Sequence, residues 1–180
     1  MDSFKEQIVK KQKTHNDSVK KLLIMIASVA LAFSIIFIVL AFPRIAVIGI
    51  FLACLSIYGG YYIIQSLNVE YEYIFTNGDL DIDKIIAQRS RKRLVSINVG
   101  SVTAAGVVDD SYSVDDGRTL VYASACDPEL TDYYFDVTHK NLGDISIIIT
   151  ADDDMLRLIK THLPRTLRTS LPDVKKTSEE

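Results

Sequence analysis

Arg89, Arg91, Lys92 and Arg93 lie within five consecutive positions, the densest run of cations in the chain. Guanidinium and ammonium groups seek anions, and each one close to an anionic leaflet contributes about 1 kcal/mol of attraction. These four residues are the candidate anionic-lipid contacts, acting through non-specific attraction and not through a headgroup pocket. The competing reading is that the run only follows the cytosolic excess of basic residues and keeps the chain soluble. Asp79, Asp81 and Asp83 alternate along one strand-like stretch. Carboxylates about 7 Å apart along a strand cannot all reach one cation at about 2–2.5 Å, so a solvated face is expected. Asp109-Asp110 and Asp115-Asp116-Gly117 form an acidic loop without the spacing of a calcium loop, and a mobile connection is expected there.

Enzymatic signatures are missing. His15, His139 and His162 are the histidines, and no nucleophile elbow, phosphate loop or zinc spacing surrounds them. His162 is expected to pack on the inner face of a helix. Cys54 and Cys126 lie in unlike surroundings and read as buried apolar thiols, not as a disulfide or metal pair. The expectation is no catalytic residue, no cofactor and no metal.

The elements that position these residues begin with two apolar runs. Leu22 to Phe42 carries no charge, and Ile45 to Leu67 has Gln65 as its most polar member. A hydrocarbon core about 30 Å thick needs roughly 20 apolar helical residues, so each run can span alone. Pro43 and Arg44 interrupt them, which reads as a tight helical hairpin. The first run is too long for a signal peptide and a second follows at once. Lys20 and Lys21 precede the first span, and Lys84, Arg89, Arg91, Lys92 and Arg93 follow the second, against Arg44 alone between them. The positive-inside rule then puts both termini in the cytosol of a plasma-membrane protein with two spans. Tyr58, Tyr61 and Tyr62 suit the headgroup layer at the cytosolic end of the second span. Gly49, Ala53, Ser56 and Gly60 recur every three or four residues, a stripe that lets two helices approach closely, within the hairpin or between two copies. Neither span holds an acidic residue or a histidine of the kind that marks an ion path.

From Val69 the period changes to two: Val69, Tyr71, Tyr73 and Phe75 alternate with Glu70, Glu72 and Ile74. Asn77-Gly78 is a hairpin turn, and strands are expected over 80–86, 93–99, 102–108, 119–126, 133–140 and 145–150. A strand rising roughly 20–25 Å from the membrane and returning over a similar length would bring the basic run back to the bilayer. A helix should follow, with Thr150 as N-cap, Asp152 to Asp154 in its first turn, and Pro164 at its end.

This order of elements after two N-terminal spans resembles the pleckstrin-homology-like domains of bacterial membrane proteins. The run YEYIFTNGDLDIDKIIAQRSRKRLVSI resembles that of a group of uncharacterised two-pass bacterial proteins. The resemblance implies an α+β fold: a transmembrane helical hairpin, then a β-barrel or sandwich of about seven antiparallel strands closed by the C-terminal helix. It implies no catalytic residues. Phosphoinositide-gripping members carry basic residues around the first hairpin turn. Here Thr76-Asn77-Gly78-Asp79 is short and acidic, so that function does not carry over.

The expected organisation is a basic cytosolic segment over 1–21, spans over 22–42 and 45–67, a cytosolic β domain with its helix over 68–167, and a disordered tail over 168–180. The expected role is a non-catalytic interaction or scaffold module at the cytosolic membrane surface. The alternatives are an anionic-lipid-responsive sensor and a small accessory subunit of a membrane transport or envelope complex. Expected partners are the bilayer and a protein partner or second copy, with no nucleic acid and no small-molecule substrate.

Overall fold

The computed structural model describes residues 3–13, 15–109, 112–115 and 117–173. Asp110 and Asp116 of the acidic loop, and residues 174–180 of the expected tail, lie outside the described residues. Two compact units divide the chain: 13–69 with 86–88, and the remainder.

The first unit holds α1 (His15–Ala41) and α2 (Ala46–Ser66), joined through a 3-10 turn at Pro43–Ile45. Asn16–Ala41 and Pro43–Ser66 are long and apolar enough to cross a membrane. At 1.5 Å per residue each exceeds the thickness of a hydrocarbon core of about 30 Å. Their large apolar side chains point outward, with Phe37 77% and Val47 84% exposed. In water that surface would be heavily penalised, and in lipid it is the ordinary exterior of a span. Cys54 is exposed on α2, not buried as expected.

Among the described residues, the second unit holds eight strands and a helix. The strands are β1 (Phe4–Lys10), β2 (Val69–Thr76), β3 (Asp79–Ile86), β4 (Ser90–Asn98), β5 (Ala104–Val107), β6 (Thr119–Ala123), β7 (Tyr133–His139) and β8 (Gly143–Ile149), and the helix is α3 (Asp153–His162). They form two four-stranded sheets, β1-β2-β3-β4 and β5-β7-β8-β6. The sheets are separate ladders and do not close into the expected barrel, and α3 is not shown to close one. Tyr73, Phe75, Leu80 and Ile82 from the first sheet are fully buried. So are Phe135, Ile145, Ile147 and Ile149 from the second, with Met155, Leu156 and Ile159 of α3.

Two further departures have physical causes. The count is eight strands because Phe4–Lys10, in the segment read as a basic tail, pairs antiparallel with β2 from Phe4↔Thr76 to Lys10↔Glu70. Its inward side is Lys5, Gln7 and Val9, of which only Val9 is buried, so hydropathy alone hid the alternation. The polar pair finds work: Lys5 lies 3.4 Å from Asp152, and the Gln7 amide donates to the Thr150 carbonyl at 3.1 Å. The strands are not all antiparallel either, since β6 runs parallel to β8. β8 inserts between β6 and β7, so two reversals of the chain leave β6 and β8 pointing the same way.

At α3 the cap is Asp152, whose Oδ1 accepts from the Met155 N–H at 2.7 Å. Thr150, the expected cap, is buried. Its hydroxyl accepts from the Ala125 N–H at 2.8 Å and reaches Asp132 Oδ1 at 2.5 Å. Ser124 Oγ bonds Asp132 Oδ2 at 2.6 Å, and the Tyr73 hydroxyl donates to the Ala123 carbonyl. Burial holds the Tyr73 phenol well above its ordinary range, so it stays a neutral donor. His162 packs edge-on to Phe75 with ring centroids 5.1 Å apart, as an inner-face histidine should.

Candidate functional site

The basic run occupies the β3–β4 connection and the first half of β4, and the structure divides it. Arg91 Nη2 lies 2.7 Å from Glu72 Oε1. Arg93 bridges two carboxylates, with Nε 2.9 Å from Asp83 Oδ1 and Nη1 3.0 Å from Asp81 Oδ2. Glu72 is 1% exposed and Asp83 4%. A buried carboxylate is tolerated only when paired, so these two arginines answer charges inside the fold. Arg89 lies in the turn and Lys92 is exposed.

The aspartate face is therefore not simply solvated. Asp79 accepts from the Asn98 amide at 2.8 Å, while Asp81 and Asp83 are held by Arg93. Strand parity hides this arrangement. Arg91 and Arg93 share odd numbering with the buried Val95 and Ile97, yet they meet carboxylates on the opposite face from Tyr71, Tyr73 and Phe75. The alternation of β4 thus slips by one residue between Arg93 and Val95. A strict period of two cannot forecast such a slip.

The Ala87–Arg89 connection is itself unusual. Ala87 and Gln88 have φ of 54° and 56°, in the left-handed region where a Cβ is costly. The Ala87 N–H donates to the Asn68 carbonyl at 2.9 Å. Asn68 in turn accepts from Lys21 Nζ at 3.1 Å and donates to Gln65 Oε1 at 3.1 Å. A chain of polar contacts therefore ties this turn to the C-terminal end of α2 and to Lys21 within α1. Replacing the pair with the residues already used at 77–78, Ala87→Asn with Gln88→Gly, is expected to stabilise the fold by about 1 kcal/mol. Thermal unfolding in detergent, read by circular dichroism, measures it as a rise of a few degrees.

The small-residue stripe of α2 faces α1. A Cβ on Gly49 would lie 2.0 Å from Val39 Cγ2, and one on Gly60 would lie 2.6 Å from Ser28 Cβ. Between them Ala53 is 5% exposed, and Ser56 Oγ approaches the Ser28 carbonyl at 3.4 Å. Gly59, one position off the stripe, has nothing within 4 Å.

Register and chain order make the hairpin an insertion. Lys10 and Glu70 are cross-strand partners, yet all of α1 and α2 lies between them in sequence. The connections are short: residues 11–14 into α1 and 67–68 out of α2. The expectation of a basic segment over 1–21 outside the β domain does not contain this strand, and the spacing of Phe4 and Ile8 on one face is the signal that residue order offers. Among the described residues, no group of three His, Cys, Asp or Glu side chains is placed to hold a metal ion.

An α+β chain with two four-stranded sheets and a helical hairpin apolar enough to cross a membrane is the class that these observations define. Residues 1–169 match the family described as bacterial PH-like domain, DUF6106, and the chain belongs to that family. The match takes in β1, both apolar helices and α3. No curated protein and no solved structure matches the chain.

Proposed function

We propose that the protein is a non-catalytic, membrane-anchored interaction module, its PH-like domain held at the cytosolic membrane surface. The observation that carries this reading is the insertion of the helical hairpin between two paired strands. A domain joined to its spans twice, through connections of a few residues, loses most of the rotation that a single linker permits. It offers a partner already confined to the membrane an oriented surface, which lowers the entropy cost of docking. PH-like domains are generally non-catalytic, in keeping with this role. Lys20 and Lys21 before the first span, with the cations after the second, support cytosolic termini.

Photo-crosslinkers at Phe4 and Ile8, exposed on the edge strand of the first sheet, test the reading in native membranes. Discrete adducts to a protein or to a second copy are expected, and a polytopic adduct would make the chain an accessory subunit. A ladder no different from that of an unrelated two-span control sinks the proposal.

The lipid-responsive alternative rests on the cationic run Arg89, Arg91, Lys92 and Arg93, of which Arg91 and Arg93 also pair with carboxylates. A fragment beginning at residue 68 lacks β1, so the full chain in liposomes is the proper test. Arg89→Gln with Lys92→Gln should remove about 1 kcal/mol of attraction per residue. Amide exchange over 89–93 should then respond to anionic lipid far less than in the parent chain. An undiminished response, insensitive to salt, disposes of that alternative.

A further inference from the structure

Glu72 has one oxygen accounted for and one not. Oε1 accepts from Arg91, whereas Oε2 is closed off from solvent and has no donor. The β1–β2 register sets Ile8 opposite Glu72 and Glu6 opposite Ile74, all on one face of the sheet. Glu6 is thereby the diagonal neighbour of Glu72, about 7–8 Å away along the backbone and within reach of two glutamate side chains. The charged groups facing Glu72 are Glu6 from β1, Asp83 from β3 and Arg91 from β4. Asp83 and its neighbour Asp81 already engage Arg93, while Glu70 and Asp79 on the same face meet Lys10 and the Asn98 amide. Among the described residues no cation forms an ion pair with Glu6. A carboxyl closed off from solvent beside a second one resists ionisation.

We propose that Glu72 holds a proton on Oε2, directed at the Glu6 side chain, and that losing it as pH rises loosens strand β1 from the first sheet. Burial is the largest influence on the Glu72 carboxyl and raises it above the ordinary carboxylate range; Arg91 opposes this, while Glu6 and Asp83 add to it. A carboxyl raised in the folded state stabilises that state while protonated. The contribution is complete at low pH and is lost as pH climbs from the ordinary carboxylate range through the raised value. Because β1 continues through residues 11–14 into α1, its attachment is one of the two ties between domain and spans. The device makes that tie responsive to pH.

The test is hydrogen exchange on the full chain in lipid nanodiscs. Backbone protection over Phe4–Lys10 is followed against pH, corrected for intrinsic exchange and referenced to β7 and β8. Protection of β1 should fall as pH rises, by at most tenfold per unit, the limit for one proton. Glu6→Gln supplies Glu72 Oε2 with a permanent donor and should hold protection at its low-pH level throughout. Glu6 is exposed, so the substitution disturbs no core, and the β7–β8 amides verify folding. Should they show that it does not fold, Glu6→Ala must still reduce the slope. A β1 protection indifferent to pH in the parent chain, or a slope that survives loss of the Glu6 carboxyl, overturns the proposal.

Discussion

Gly60→Leu is expected to break the packing of the helical hairpin, while Gly59→Leu beside it leaves the protein unchanged. Any side chain at Gly60 places its first carbon 2.6 Å from Ser28 Cβ, an atom fixed to the α1 backbone that no rotamer change can move aside. The helices must separate, and separation forfeits the close contacts that hold them. In lipid no hydrophobic drive offsets that loss, because acyl chains are as apolar as leucine; packing of small residues supplies the attraction. Overpacking in a well-packed site typically costs about 1–3 kcal/mol, and a Cβ-to-Cβ clash belongs at the upper end. Thermal unfolding in detergent micelles, followed by helical circular dichroism, should show a drop of roughly 5–10 °C for Gly60→Leu. Gly59→Leu enters open space and should match the parent within error. Equal losses at both positions would mean that the stripe does not hold the hairpin together.

The second large effect lies in the β unit. Thr150→Val keeps the shape of the side chain and removes only its hydroxyl. That hydroxyl bonds the Ala125 N–H, Asp132 and, at 3.3 Å, Ser124, and Thr150 is 4% exposed. Substitution strands a buried backbone N–H and deprives a carboxylate of a donor, each costing about 1–3 kcal/mol. A loss of about 3 kcal/mol is expected, roughly 10 °C for a domain of this size. Thr150→Ser, which keeps the oxygen and loses one methyl, should recover most of it. If valine proves harmless while serine destabilises, the residue matters for packing and the hydrogen-bond knot contributes nothing.

Apolar length, strand alternation and the Asn77-Gly78 turn were readable from residue order because each is a local property. A run of uncharged residues long enough to span, or a positive-φ turn pair, declares itself within a few neighbours. So did α3, although its cap moved from Thr150 to Asp152. Both residues can cap a helix, and the choice turned on a knot of groups from β2, β6 and the β6–β7 connection that no local rule sees.

Long-range pairing was the part that residue order withheld. Whether Phe4–Lys10 is a tail or a strand depends on an edge of β2 presented some sixty residues later, and its lysines disguise the pattern. The parallel β6–β8 pair follows from which strand inserts between which, and short strands carry no mark of that. The arginines of the basic run show the same division. Their charge was legible at once, but their partners Glu72, Asp81 and Asp83 were not, because a one-residue slip in β4 turns them away from the core face to which strict alternation assigns them. Local periodicity and composition are written residue by residue; pairing partners arise when distant segments compete for the same edge and the same buried charge, and folding resolves that competition.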